Sequence, residues 1–385
     1  MPFFTNDAVN RVNLHTGLRA LSVGVGGVFF FAFLLRAGVP VPIVLLAQAA
    51  IVGGRFCVRP LVIWPAKRFG VKPMFIAGTV VMAGEYPLLA EVHGVGPVLA
   101  ALCVVAAFGD MIYWVAYNAY FAQIGDSEHR GSQIGAREAL VAIIGIVAPL
   151  IGAAALVVLG PRWAFGAAGL IQLAAVLPII GAPNLPVARE APGAWRAARI
   201  AGGLMVADGW FDASYLMIWQ IALFVALRQS FAAYGGALAL AGLVGAAGAL
   251  LFGRHIDLGG GRRAVLATYG LASLLVVGRA ASLGWPWLAV GANALGALLI
   301  PLLSPTLGAV TYNLAKASPC SFRFHMTTEG GWDVGCFFAC ISAAAIVAAG
   351  GSLAIPILLA LPAVAASALI LWRFYTAPGA ALAET

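Results

Sequence analysis

Residues 140–158 have the sequence LVAIIGIVAPLIGAAALVV and contain no charged side chain. A helix needs about twenty apolar residues to cross the hydrocarbon core of a membrane, and this stretch has that length. Similar stretches recur along all 385 residues, so little length is left for a soluble domain. Because they are continuously apolar, they predict helices; the strands of a membrane barrel would alternate between apolar and polar residues.

The composition of the chain indicates the same class of protein. Charged residues make up 9% and hydrophobic residues 62% of the sequence, whereas soluble domains average roughly 25% charged residues. We therefore predict an all-α membrane protein with about twelve transmembrane helices in two pseudo-symmetric six-helix halves. The predicted spans are 17–36, 41–63, 74–91, 96–122, 133–158, 162–182, 202–227, 231–253, 264–282, 286–314, 326–349 and 352–375.

The distribution of basic residues predicts the orientation. Most of the 22 lysines and arginines belong to one set of alternate connections, and such connections stay on the cytoplasmic side during insertion. Both termini are therefore expected in the cytoplasm. The net charge of +8 is explained by this topology and needs no nucleic-acid partner. The alanine- and glycine-rich composition is typical of a GC-rich bacterial genome, which makes the inner (cytoplasmic) membrane the expected location.

A polar connection after the sixth span divides the sequence into two parts. We expect an N-terminal six-helix bundle at 1–183, a cytoplasmic central loop at 184–200 and a C-terminal six-helix bundle at 201–385. Basic, glycine-containing turns follow the second span of each half, at 65–73 and 253–263. These corresponding turns indicate an internal repeat.

The turn after the eighth span resembles the loop signature of the major facilitator superfamily. Its Gly253, Asp257, Arg262 and Arg263 match that signature, with one additional glycine before the arginines. In the first half the match is weaker, because Lys67 stands where the signature has an aspartate. The resemblance implies a secondary transporter that works by alternating access. A membrane enzyme is not expected, because no two histidines have metal-ligand spacing and the sequence has no paired Asp-rich motif. The resemblance also implies that the first, fourth, seventh and tenth helices line a central cavity.

The fifth span contains a glycine-proline segment, Gly145 to Gly152, which is similar to a motif of the superfamily's antiporters. Ala148 replaces one glycine of that motif. The likeness favours export over import. The other interpretation is a proline kink whose small residues allow close helix packing.

Acids and aromatic residues recur at helical spacing in two of the spans expected to line the cavity. An ionised side chain within the membrane is costly and is a candidate functional group. Acids beside aromatic rings suit a cationic or aromatic compound, although structural acids and polar lining of a vestibule remain alternatives. The candidate substrate-binding residues are Asp110, Tyr113, Trp114 and Tyr117 in the fourth span and Asp208, Asp212, Tyr215 and Trp219 in the seventh.

A second set of charges lies near the expected cytoplasmic ends of the spans. We predict that these residues form salt bridges that break and re-form between the halves, with ordinary solvated charges as the alternative. The candidate gating or coupling residues are Arg137, Glu138, Arg254, Asp257, Arg262, Arg263, Glu329 and Asp333. Glu85, midway along the third span, is either a packed protonated acid or a proton relay.

The leading hypothesis is proton-coupled export, by antiport, of a small cationic or aromatic compound. A proton-coupled importer or uniporter of a polar nutrient is the alternative, and a sensor without transport activity is a remote one. The five cysteines form no CxxC pair and the histidines have no metal-ligand spacing, so we expect no metal and no cofactor other than a proton gradient. The expected partners are the lipid bilayer and a small-molecule substrate, and the protein is expected to be monomeric.

Overall fold

The computed structural model describes residues 6–376 with several gaps. The backbone is not described at 125–129, 257–260, 300, 301, 304–306, 308, 309, 312, 313 and 316, and the side chains are not described at 122, 130–139, 197, 250–256, 261, 262, 264, 375 and 376.

Within these limits the chain consists of helices and connections, with no strand. Eleven helices are long and apolar enough to cross a membrane, and Pro286–Leu299 is a shorter apolar helix. The helices are α1 Asp7–Arg36, α2 Val41–Phe69, α3 Val71–Ala90, α4 Pro97–Ile124, α5 Arg130–Val158, α6 Pro161–Ile180, α7 Arg199–Ala226, α8 Phe231–Ile256, α9 Gly261–Ser282, α10 Pro286–Leu299, α11 Ser321–Ala348 and α12 Ala354–Phe374. The predicted all-α membrane fold is confirmed.

The first helix begins ten residues earlier than its apolar pattern predicts. The side chain of Asn6 accepts a hydrogen bond from the backbone N–H of Val9 at 3.1 Å, and Asp7 lies in the first turn. Both are typical of a helix start, where backbone N–H groups are free and the helix dipole favours an acid. The first turns of α1 carry polar residues, so a search for apolar length misses them.

Glycines bring α7 and α11 into backbone contact. A Cβ atom at Gly335 would overlap the carbonyl oxygen of Val206, and one at Gly209 would overlap the backbone of Trp332. Small residues at such crossings are the usual means of helix association inside a membrane. The close approach fixes the acids of α7 beside those of α11.

The glycine-proline segment of α5 forms a contact between the two halves. A Cβ atom at Gly235 of α8 would lie 2.8 Å from the carbonyl oxygen of Pro149, and one at Gly242 would lie 2.8 Å from that of Gly145. Gly152 packs equally closely on the backbone of α1 at Val25. The close-packing interpretation of this segment is confirmed, and its bearing on transport direction stays a prediction.

The start of the central connection packs against the turn between α2 and α3. The amide of Asn184 donates to the carbonyl oxygen of Phe69 at 2.8 Å and accepts from the backbone N–H of Lys72 at 3.2 Å. Gly70 in this turn has φ of +87°, a conformation that disfavours other residues. The turn and the connection therefore form one packed unit at this end of the first half.

Candidate functional site

Two arginines of α2 meet two acids of α11 between the halves. Nε of Arg55 lies 3.1 Å from Oδ1 of Asp333, and its Nη2 donates to Oε2 of Glu329 at 3.4 Å. Arg59, one helical turn along α2, donates through Nη2 to Oδ2 of Asp333. Both guanidiniums are buried, and Asp333 has no exposed surface. Charges this deeply buried need the partners that this arrangement supplies.

The network extends to α4 in the first half. Asp110 Oδ2 lies 3.6 Å from Nη1 of Arg55, and the Asn118 amide donates to Oε1 of Glu329 at 2.9 Å. These contacts join α2 and α4 of one half to α11 of the other. The interface ion cluster is defined here as Arg55, Arg59, Asp110, Glu329 and Asp333.

The positions and partners of Glu329 and Asp333 differ from the prediction. They were expected near the membrane surface with Arg137 and Glu138, but Asp333 lies about 18 Å along α11 at 1.5 Å per residue and is fully buried. The side chains of Arg137 and Glu138 lie outside the described residues. The partners that the structure describes are arginines of α2, because the α2–α11 contact brings opposite charges together.

Sequence reasoning missed Arg55 and Arg59 because it assigned them to the cytoplasmic set of basic residues. A signal was available, since both fall inside the apolar stretch 41–63 and are four residues apart. Two arginines on one face of a membrane helix require buried acids as partners. The sequence alone does not say which helix carries those acids.

The aromatic residues predicted in α4 lie together, and they already contact a cation. The ring centroids of Tyr113, Trp114 and Tyr117 are 5.3–5.9 Å apart. The guanidinium of Arg19, on α1, lies 4.7 Å from the Tyr113 centroid and 4.6 Å from that of Trp114. The Tyr113 hydroxyl also contacts Nε2 of His15 at 3.1 Å inside the first half. Of this predicted set, Asp110 lines a cavity, whereas Tyr113 belongs to the core.

The predicted stripe on α7 is divided in two by a change of helix type. Residues Ala213–Met217 form a π-helix, whose wider turn rotates later residues away from the face expected for an α-helix. Asp212 accepts a hydrogen bond from Trp332 Nε1 of α11 at 3.0 Å. Trp219 instead donates to Asn293 of α10 at 2.9 Å. The acids and the aromatic residues of α7 therefore face different neighbours.

Arg279 of α9 accounts for the orientation of the aromatic residues on α7. Its guanidinium lies 3.7 Å from the Tyr215 centroid and 4.9 Å from that of Trp219. Its Nη1 donates to the Tyr215 carbonyl oxygen at 2.5 Å. The arginine therefore contacts both the ring and the backbone of the π-helical segment. It is a buried residue of the second half.

A cavity of about 180 Å³ lies within the first half, among α1–α4. Its polar lining residues are Gln48, Glu85, Tyr86 and Asp110. The rest of the wall is apolar and includes Phe30 and other aliphatic and aromatic side chains. Asp110 therefore belongs to both the cavity and the interface ion cluster.

The remaining predicted residues take no part in these contacts as far as the structure describes them. Arg263 is exposed near the start of α9, whereas Asp257 and the side chains of Arg254 and Arg262 lie outside the described residues. The five cysteines are free, and among the described residues no group of three metal-ligating side chains occurs. Cys336 and Cys340 are buried on one face of α11.

The described part of the chain is a polytopic helical membrane protein with buried ion pairs between its helices. The sequence profile of the Major Facilitator Superfamily matches residues 21–319. The chain belongs to this superfamily, whose members are transporters and not enzymes. No curated protein sequence matches the chain significantly.

Solved structures with the same fold support this assignment. The peptide transporter PepTSo of the POT family superposes with a TM-score of 0.69 at 12% identity, over 96% of this chain and 98% of that chain. A proton-dependent oligopeptide (POT) family transporter gives 0.70 at 12% identity, over 94% and 100%. The human organic anion transporter MFSD10 gives 0.66 at 15% identity, over 95% and 99%. At these identities the likeness concerns the fold.

Proposed function

We propose that this protein is a proton-coupled antiporter that exports a small cationic or aromatic compound. The supporting observation is that, among the described residues, the acids inside the helices outnumber the arginines that interact with them. The acids are Glu85, Asp110, Asp208, Asp212, Glu329 and Asp333, and the arginines are Arg19, Arg55 and Arg59. An ionised carboxylate inside the membrane is costly unless it is paired. The excess acids therefore need protons or another cation.

This excess gives a physical reason for exchange. If a proton and a cationic substrate compete for the same carboxylates, binding of one releases the other. Asp110 is a good candidate, because it reaches both the cavity and Arg55. Asp208 and Asp212 are a second candidate pair, one turn apart on α7 and next to α11. Competition at shared acids produces antiport without a separate mechanism for coupling.

The interface ion cluster suits the role of a gate. For the cavity to change sides, the two halves must rock against each other, and the contacts of Arg55 and Arg59 with α11 would have to rearrange. The acids of the cluster would keep their charges paired in one conformation. In the other conformation they would bind protons or substrate, which links the movement to the proton gradient.

The remaining properties follow from the sequence. The protein is proposed to lie in a bacterial inner membrane with both termini in the cytoplasm, to act as a monomer and to use no cofactor other than the proton gradient. The small-molecule substrate and the lipid bilayer are its proposed partners.

The test is transport in proteoliposomes with an imposed pH gradient, with radiolabelled tetramethylammonium as the small cationic probe. We expect proton-driven movement of tetramethylammonium that Asp110→Asn and Asp208→Asn each abolish. Glu91→Gln is the matched control, because Glu91 lies just after α3 and pairs with the exposed Arg162. Transport of sugars or carboxylates in place of tetramethylammonium would contradict the proposal. Binding of tetramethylammonium without any flux would instead identify a sensor.

One observation favours a second candidate function, import of a polar solute that carries a carboxylate. Arg19 stacks on aromatic rings and its Nε has no hydrogen-bond partner among the described residues. A guanidinium presented in this way suits a carboxylate ligand. An Arg19→Lys variant separates the two candidates, since it would weaken uptake of a carboxylate solute and leave cation exchange intact.

A further inference from the structure

The cavity of the first half is lined by an acid that forms no salt bridge with an arginine among the described residues. Glu85 lies on α3 and lines the cavity, and one carboxylate oxygen, Oε1, is buried without a hydrogen-bond partner among the described residues. That oxygen faces α4, because a Cβ atom at Gly109 would lie 3.0 Å from it. The backbone of α4 therefore approaches this carboxyl group without donating to it.

The described charged neighbours of Glu85 interact with it without forming a salt bridge. Asp110 of α4, Arg55 of α2 and Arg19 of α1 interact with it electrostatically. Arg55 is within 3.6 Å of Asp110, Glu329 and Asp333, and the guanidinium of Arg19 stacks on Tyr113 and Trp114. Among the described residues, no salt bridge to Glu85 is formed. A carboxyl group with a buried, unbonded oxygen is stabilised by a proton or by a bound cation.

The dimensions of the cavity limit what it can hold. A single water requires about 10–15 Å³ of such space, so the volume of about 180 Å³ accepts roughly a dozen waters or one small organic molecule. Pockets for drug-sized ligands are larger, roughly 300–1,000 Å³. The aromatic wall residues Phe30, Phe31 and Tyr86 lie near the two acids. Acids with aromatic neighbours suit a small ammonium ion.

We propose that this cavity is a site where a small monovalent ammonium ion and a proton compete for Glu85. In the empty state Glu85 carries the proton. When the ammonium ion enters, the O–H bond of Glu85 breaks, the proton leaves to solvent, and the carboxylate pairs with the bound cation. One positive charge enters and one leaves, so the cavity keeps its net charge. The inference rests on the proposed exchange function and names the site and ligand class for it.

The position of Asp110 explains how binding of a cation in the cavity would affect the interface between the halves. Asp110 lines the same cavity as Glu85 and contacts Arg55. A cation that enters the cavity attracts Asp110 and weakens its hold on Arg55, which leaves that arginine to Glu329 and Asp333. Binding inside the first half would thereby strengthen the contact with the second.

The test measures proton release from the purified full-length protein in weakly buffered detergent solution with a pH indicator. Methylammonium chloride is the probe, and sodium chloride at equal ionic strength is the reference, because it raises the ionic strength without supplying an ammonium ion. We expect saturable release of one proton per protein with methylammonium and none with sodium. The Glu85→Gln variant should lose this release, and the Glu91→Gln variant should retain it.

Two further measurements keep the result interpretable. Thermal unfolding of Glu85→Gln without ligand verifies that the variant is folded, and the Glu85→Asp variant should keep proton release at a higher methylammonium concentration. Release from Glu85→Gln equal to that of the unchanged protein would overturn the inference, as would the absence of release from the unchanged protein. Normal release without transport in proteoliposomes would instead refute the proposed function and leave the binding site established.

Discussion

Asp333→Asn tests the physical role of the interface ion cluster most directly. The substitution keeps the size of the side chain and removes its charge. Arg59 would then lose its one charged partner among the described residues, while Arg55 would keep Glu329 at 3.4 Å and Asp110 at 3.6 Å. Arg59 is buried, so its uncompensated charge carries most of the cost.

The expected loss of stability lies near the lower end of the range known for broken buried ion pairs. Breaking a buried ion pair by removing one partner costs about 3–5 kcal/mol. Because Arg55 retains two acids, we expect about 3 kcal/mol for Asp333→Asn, which corresponds to a change of roughly a hundredfold in the equilibrium that brings the two halves together. Arg59→Gln combined with Asp333→Asn should cost less than the sum of the single variants, since they remove the same interaction.

Two assays measure this effect. Thermal unfolding in detergent should show a lower Tm for Asp333→Asn than for Glu91→Gln. Disulfide cross-linking should report the contact itself, through cysteines at Gly53 and Phe337, because a Cβ atom at Gly53 lies 3.0 Å from the Phe337 ring. The five natural cysteines must first be replaced. A wild-type Tm together with a wild-type cross-linking rate in Asp333→Asn would refute the assignment of the cluster as the contact that holds the halves together.

Three further predictions concern packing and pH. Gly335→Ala should lower the Tm sharply, because a Cβ atom would overlap the backbone of α7. Gly203→Ala is the control and should keep the Tm, because a Cβ atom there meets nothing within 4 Å. Equal Tm values for the two variants would contradict the described contact. Arg279→Met should destabilise the second half by removing a buried hydrogen bond to the Tyr215 carbonyl oxygen, and an unfolding transition by intrinsic tryptophan fluorescence that is unchanged in the variant would contradict this. Hydrogen bonds from Arg162 lower the pKa of Glu91. The Glu91 carboxylate therefore contributes to stability at neutral pH, and this contribution is lost as the pH falls below the ordinary glutamate pKa of about 4.3. We expect the Tm difference between the unchanged protein and Glu91→Gln to shrink at low pH, and a constant difference would contradict the prediction.

The sequence predicted the fold because the membrane imposes a local rule. Each span must satisfy its own backbone hydrogen bonds and present apolar side chains, and both properties are visible in stretches such as 140–158. The turn with Gly253 and the paired arginines then identified the superfamily. Helix ends were less well predicted, since the capped start of α1 at Asp7 depends on polar residues that an apolar pattern does not count.

The candidate site was predicted in part. Asp110, Asp212, Glu329 and Asp333 were selected because acids are rare and costly in a membrane helix, and the structure brings them into connected contacts. Their partners were not predicted. The pattern of one helix contains no information about which other helix faces it, so the role of Arg55 had to come from the α2–α11 contact.

Local spacing also failed where the backbone departs from the regular α-helix. The residues Asp212 and Trp219 share a face in an ideal helix, but the π-helix at Ala213–Met217 separates them. That segment is stabilised by Arg279, which lies more than sixty positions away in the sequence. No pattern within α7 carries this information.

The sequence by itself determined that the chain is a helical membrane protein of the superfamily and that a few acids lie inside its spans. Both conclusions rest on the local cost of placing charge and free backbone groups in hydrocarbon. Only the tertiary structure decided which charges are paired, that Arg19 already occupies the aromatic rings of α4, and that Glu85 lines a cavity without a salt bridge among the described residues. These features depend on contacts between distant helices, because electrostatic energy at close range is set by the distance between groups and not by their separation along the chain.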